Sequence, residues 1–243
     1  MSALLDIKGV GKRFGGFTAL EGIDLTVNAG ERVGLIGPNG SGNSTLVNCI
    51  SGTLHNDSGS VHFEGQKMDG LAAHERTHRG LARSFQLPRP FGSLTLIENV
   101  RVPLLYTAHR DSGALHAGTV DARCEELLGL VGLGGKARQR PRDLTQVEMR
   151  KLELARAMAA EPKLLIADES MAGLSHSEIE EILALLRRMN ESGVTVILIE
   201  HIMSAVMSFS QRLVVLVTGR KIADGNPQDV VRDPDVVSAY IGK

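Results

Sequence analysis

Apolar positions along the chain switch between two periods. Near the N-terminus Ile23, Leu25 and Val27 alternate with Asp24 and Thr26, the pattern of a half-buried strand. Residues 4–12 read as another strand. The turn Asn28-Ala29-Gly30-Glu31 leads into an apolar strand-like run, Arg32-Val33-Gly34-Leu35-Ile36. Then come a helix-like run at 46–50, a turn at 56–60 and a short strand at 61–63. A short helix at 71–79 is stopped by Gly80, and a strand follows at 81–85.

Past residue 87 the period becomes helical. Helices are expected at 94–106 despite Pro103, at 120–131 and at 147–160, with linkers at 107–118 and 132–141. The last third alternates strands at 163–167, 194–199 and 213–217 with helices at 177–190 and 202–209. Buried apolar strands alternating with helices predict an α/β fold with a mostly parallel sheet. The helical middle third is then an insertion between strand-rich parts.

Composition narrows the class. Apolar residues make up 42% of the 243, with 3% aromatic and no Trp, so the core is expected to be aliphatic. A net charge of −1 gives no reason to expect a nucleic-acid partner. Cys49 and Cys124 fit no metal or redox spacing and read as reduced, buried, small apolar residues of a cytosolic protein. Residues 1–6 lack the basic start and long apolar core of a signal peptide. No apolar run approaches the ~18 residues of a membrane span, so any membrane role is expected to come through a partner.

Two motifs carry chemistry. Gly37-Pro38-Asn39-Gly40-Ser41-Gly42-Asn43-Ser44-Thr45 fits the phosphate-binding pattern G-x-x-x-x-G-K-[ST] except that Asn43 replaces the lysine. A strand leads in and a helix leads out, as the motif requires; an isolated glycine-rich turn would not need those flanks. The glycines let backbone N–H groups face an anion, and the helix N-terminus adds its positive end. Further on, Leu164-Leu165-Ile166-Ala167 ends in Asp168 and Glu169. Two acids closing a buried strand cost solvation energy unless a cation or a reaction uses them. Beside a phosphate loop, Asp168 is the expected Mg²⁺ ligand, through water, with the Ser44 hydroxyl as a direct ligand. Glu169 is then the general base toward the attacking water. His74-Glu75-Arg76-Thr77-His78 also spells H-E-x-x-H. On a two-turn helix ended at once by Gly80, with no third ligand evident, it reads as a solvated helix face rather than a zinc site.

Together these stretches resemble the ATP-binding subunits of ABC transporters, and the similarity runs nearly the whole length. The resemblance implies a P-loop NTPase fold. One domain, 1–243, would have its core and an N-terminal antiparallel β subdomain in 1–86 and 161–243, and a helical subdomain in 87–160. It assigns Phe14, in Arg13-Phe14-Gly15-Gly16, to stacking on adenine. Gln86, in Arg83-Ser84-Phe85-Gln86, becomes a Mg²⁺ and water contact and a hinge to the helical part. Met171-Ala172-Gly173-Leu174-Ser175 becomes a loop where two copies touch. His201, after Ile197-Leu198-Ile199-Glu200, becomes the γ-phosphate contact. The family's L-S-G-G-Q signature aligns with Leu144-Thr145-Gln146-Val147-Glu148: Thr145 keeps the hydroxyl, Val147 replaces a glycine that approaches the partner copy's ATP, and Glu148 adds charge. Gly15-Gly16-Phe17-Thr18-Ala19-Leu20, the stretches at 80–86 and 151–157, and the ending at 233–242 resemble in particular the subfamily serving branched-chain amino acid, urea or amide importers.

The implied function is a cytoplasmic ATPase subunit, peripheral on the inner face of the membrane. It would pair as a homodimer or with a second ATP subunit and drive transmembrane permease subunits docked near residues 86–106, with no direct solute contact and no nucleic-acid partner. DNA-repair and ribosome-associated relatives of the fold fit less well, because the chain has no long coiled-coil insertion and no second motif set. Asn43 can offer a hydrogen bond but no charge. Loss of a charge-assisted bond of ~1.5–3 kcal/mol predicts a roughly ten- to hundred-fold weaker phosphate interaction, and hence impaired hydrolysis. A non-hydrolysing, ATP-dependent dimerisation switch is the competing expectation.

Overall fold

In a computed structural model, the described part of the chain is residues 3–84, 88–108 and 117–241. β1 (Ala3–Phe14) and β2 (Phe17–Asn28) form an antiparallel hairpin. β2 starts well before its alternating segment, because Gly15, at φ 57, turns the chain so that Thr18 pairs with Arg13. β3 (Arg32–Ile36) runs through the phosphate-loop motif into α1 (Asn43–Ser51). β4 (Ser58–Phe63) and β5 (Gln66–Lys67) complete an antiparallel sheet of order β2-β1-β4-β5. α2 (Ala73–His78) and β6 (Leu81–Ser84) follow.

α3 (Leu96–Ala108), α4 (Ala117–Leu130) and α5 (Gln146–Met158) fill the middle third, with α3 and α4 both reaching into the stretch expected as a linker. α3 carries Pro103 within it. The buried Asn99 amide ties the preceding loop to that helix, donating to the Thr95 carbonyl at 2.9 Å and accepting from the Phe91 N–H at 2.8 Å. β7 (Leu164–Asp168), α6 (His176–Glu191), β8 (Thr195–Ile199), α7 (Met203–Phe209) and β9 (Arg212–Val217) then alternate as expected. β10 (Arg220–Gly225), α8 (Pro227–Val230) and α9 (Pro234–Ile241) were not legible from periodicity. β10 is a half-exposed edge strand rich in charge, so no apolar alternation announces it.

The second sheet has the order β10-β9-β3-β8-β7-β6, parallel from β9 to β6 with β10 antiparallel at the edge. β7 and β8 are buried on both faces, which is why they read as continuous apolar runs. Leu164, Ile166, Ile197 and Ile199 face the core shared with α1 and the antiparallel sheet. Leu165, Val196 and Leu198 face the opposite core, where leucines of α3, α4, α5 and α6 pack. Cys49 and Cys124 are free and buried; burial pushes the Cys49 thiol up to about 11 and raises Cys124.

The H-E-x-x-H helix departs from its expected solvated character at Arg76, which is fully buried. Its Nη1 donates to the carbonyls of Cys49 at 2.7 Å and Ile50 at 2.8 Å, the otherwise unpaired last carbonyls of α1. Glu75 accepts from the Ala72 N–H at 2.7 Å and so caps its own helix. Arg76→Met removes the donors and strands two carbonyls. It should lower unfolding stability by roughly 2–3 kcal/mol in urea titration, and a loss under ~0.5 kcal/mol would contradict this account.

Candidate functional site

The phosphate loop takes its shape from β3 and from the β9–β10 hairpin. Gly37 leaves β3 so close to β9 that a Cβ there would overlap the Leu216 carbonyl oxygen. The Ser41 N–H donates to the Pro38 carbonyl at 2.9 Å, and the Ser41 carbonyl accepts from Gly219 N–H at 2.8 Å. Gly42, at φ 105, then turns the chain into α1 without a capping side chain. The first turn of α1 holds no acid, so its N–H groups and positive dipole end are left for an outside anion.

Those groups open onto a cleft of about 210 Å³. Pro38, Asn39, Gly40, Ser41, Gly42, Asn43, Ser44 and Thr45 form one wall, while Glu169, Ile199 and His201 close it from the ends of β7 and β8. Ala19 and Phe17 enter from β2. The aromatic on the wall is therefore Phe17, 60% exposed, and not Phe14. Phe14 lies outside the lining, under Lys12, whose Nζ stands 5.7 Å from the ring centroid. The two rings occupy paired positions at the β1–β2 hairpin end, and the hairpin decides which one reaches the cleft.

At the acidic edge, Glu169 holds a left-handed backbone, φ 45, with its N–H donating to the Ile199 carbonyl at 2.9 Å. A non-glycine residue held there is strained, and such strain concentrates at functional sites. Its Oε1 lies 3.1 Å from His201 Nε2, so the two residues expected to act on the γ-phosphate end share one contact. Asp168 is buried and outside the lining; its Oδ2 accepts from Arg83 Nη2 at 2.6 Å. Arg83 also donates to Asn48 Oδ1 at 2.7 Å, linking β6 to α1. Sequence reading missed this role, since Arg83 and Asp168 are remote in the chain and only the adjacent parallel strands β6 and β7 join them. Gln86 lies outside the described residues.

Thr145, just before α5, and Val147, in its first turn, stand away from this chain's own cleft. Thr145 caps the helix, its Oγ1 accepting from the Glu148 N–H at 3.3 Å while Glu148 Oε2 accepts from the Thr145 N–H at 3.0 Å. Val147 packs against the helical core. Lys136 Nζ donates to Glu148 Oε1 at 2.6 Å, and that contact with the Thr145 N–H holds the Glu148 carboxyl below its usual range. The extra negative charge at this position is thus largely balanced within the chain. Gln146 Nε2 donates to the Ala172 carbonyl at 3.2 Å, tethering the segment to the 171–175 loop.

That loop has a second anchor in Glu200, whose buried Oε1 accepts from the Met171 N–H at 2.8 Å. Burial pushes the Glu200 carboxyl up to about 7. The folded chain therefore binds this proton more tightly than the unfolded chain, and stability falls as pH rises from about 4.5 toward 7. Glu200→Gln keeps the accepting oxygen and removes the titration. Urea unfolding should show it gaining more over the unaltered protein at pH 8 than at pH 5; an equal change at both would disprove the assignment.

Residues 20–172 match the family described as ABC transporter, and 220–243 the one described as Branched-chain amino acid ATP-binding cassette transporter. The chain is 35% identical over 254 residues to the high-affinity branched-chain amino acid transport ATP-binding protein BraF of Pseudomonas aeruginosa, covering 99% of this chain and 98% of that one. It is 35% identical over 256 residues to LivG of Escherichia coli K12, a protein of the same description, with the same coverage. Among solved structures, a nucleotide-free ATP-binding cassette from an ABC transporter superposes with a TM-score of 0.88 at 30% identity over 100% of both chains. The ADP conformation of such a cassette gives the same values. With a phosphate loop, a strand-end acid pair and a histidine in the order and fold of these relatives, the chain belongs to the ATP-binding cassette ATPases of ABC transporters.

Proposed function

We propose that this chain is the ATP-binding subunit of an importer for branched-chain amino acids, acting through separate transmembrane permease subunits on the inner face of the membrane. The observation that carries the reading is the single cleft in which the phosphate loop faces Glu169 and His201. Whole-length similarity to BraF and LivG supports the solute class. The chain pairs with a second ATP subunit, identical or different, through the 144–148 segment and the 171–175 loop, so that Thr145 and Val147 meet the partner's nucleotide. The solute itself is handled by the permease. Among the described residues no helix is long and apolar enough to cross a membrane.

In the cleft, the loop amides and the N-terminus of α1 bind the phosphates. Phe17 offers its ring to the adenine. Glu169 orients and deprotonates the attacking water, and His201, sharing a contact with Glu169, touches the γ-phosphate. Ser44, exposed on the wall, and Asp168 fit a hard cation through oxygen. They would hold Mg²⁺, which neutralises phosphate charge when bound, and the family resemblance adds Gln86 to that set. Arg83 keeps the Asp168 carboxylate oriented.

Hydrolysis is impaired by Asn43, which leaves the wall next to the phosphates without the usual ammonium charge. Asn43→Lys should raise ATP turnover of the assembled transporter by roughly ten- to hundred-fold, with a smaller gain in ATP affinity. Equal, brisk rates in both proteins would remove Asn43 as the cause. Asn43, and valine and glutamate at 147 and 148 in place of the usual signature residues, favour the second reading, a switch that dimerises on ATP without turnover. ATP-dependent dimerisation with no phosphate release in the complete complex selects it. Phe17→Ala should weaken ATP binding about tenfold while Phe14→Ala leaves it unchanged, since stacking on a base contributes ~1–3 kcal/mol; the reverse result would return the adenine to Phe14.

A further inference from the structure

Asn43 offers an acceptor at the place where the phosphate-loop pattern puts a cation. The residue is 7% exposed and lines the cleft, and its Oδ1 is buried with no hydrogen-bond partner among the described residues. A buried amide oxygen without a partner is costly, and here its neighbourhood is built for anions. The uncapped nine-residue helix α1 begins at Asn43, and no acid lies in its first turn. Turned toward phosphate oxygens, a carbonyl oxygen would meet repulsion unless positive charge lay between them.

The dimensions leave room for that charge. An asparagine side chain reaches its terminal oxygen two bonds sooner than a lysine reaches its nitrogen, a difference of about 2.5 Å. The space between Oδ1 and a bound phosphate would then be the space an ammonium head fills. Amide carbonyls and phosphates are oxygen ligands of the kind that replace the hydration shell of a large monovalent cation. A second small divalent ion fits poorly, because it demands near-ideal octahedral coordination and carboxylate help. Of the two nearby acids, Asp168 is bound to Arg83 and Glu169 contacts His201.

We propose that Asn43 Oδ1 and the terminal phosphates of bound ATP together hold a monovalent cation of potassium size, which restores to ATP binding, though not to turnover, part of the missing lysine charge. This inference rests on the nucleotide-binding reading above. One amide oxygen does not retain such an ion alone, so the site is completed only when nucleotide binds. ATP affinity then depends on which monovalent cation is present, beyond its contribution to ionic strength.

The test is ATP binding to the full chain by calorimetry at constant Mg²⁺ and ionic strength, in potassium chloride or choline chloride. The unaltered protein should bind ATP about tenfold more tightly in potassium, the size expected for restoring a charge-assisted contact. Asn43→Lys should bind equally in both salts. Asn43→Leu, which removes the oxygen at similar volume, should also lose the dependence, and it serves if the lysine variant fails to fold. Equal affinity in both salts for the unaltered protein, or the same potassium effect in either variant, overturns the cation site and leaves nucleotide binding standing. The first of these is also what an Asn43 amide donating directly to phosphate would give. Absence of ATP binding to the unaltered protein and both variants in every salt overturns the nucleotide-binding reading as well.

Discussion

Parallel pairing of β3, β8 and β7 is the constraint on which the site depends. Side by side in one register, these strands must end at one edge of the sheet, so whatever follows each of them is delivered to the same place. Gly37 follows β3, Glu169 follows β7, and Glu200 and His201 follow β8. Both faces of these strands are sealed by aliphatic cores, one against α1 and one against the helices of the middle third. Ligands collect at such carboxyl edges because helix N-termini and strand exits converge there. A shift of one strand by a residue would turn core side chains toward the wrong layer, so the edge is as precise as the packing behind it.

Around that edge the chain balances most of its own charges. Asp168 meets Arg83, Glu148 meets Lys136, and Glu200 takes a backbone N–H while burial favours its proton. These contacts connect β6, α5 and the 171–175 loop to the strands that carry Glu169 and His201. Asn43 differs from these, a buried amide oxygen beside the positive end of α1 with no hydrogen-bond partner among the described residues. The electrostatics of the loop therefore await what binds there, whereas the acids around it are already matched.

Legibility in the sequence followed the range of the forces involved. β3, β7 and β8 stood out because burial on both faces makes them apolar except at one end residue each. α6 stood out because its apolar stripe repeats along one face, while the Ser175–Glu178 cap that starts it emerged only in the structure. β10 was hidden because an edge strand needs only half an apolar face. Arg76 was misread for a different reason: arginine is seldom wholly buried, and only α1 ending against α2 supplies the carbonyls that permit it. The exchange of Phe14 for Phe17 on the cleft wall turned on the side chains' directions at a hairpin end, which residue spacing does not encode.

By itself the sequence determined the phosphate loop and its one departure, since glycines, a helix start and the identity of residue 43 act over a few neighbouring residues. It also determined the alternation of strands and helices, because periodicity is a local record of which face is buried. Only the tertiary structure decided that Glu169 touches His201, that Arg83 holds Asp168, and that Phe17 looks into the cleft. Those contacts join residues far apart in the chain, and they exist because packing two cores against one sheet selects a single strand order.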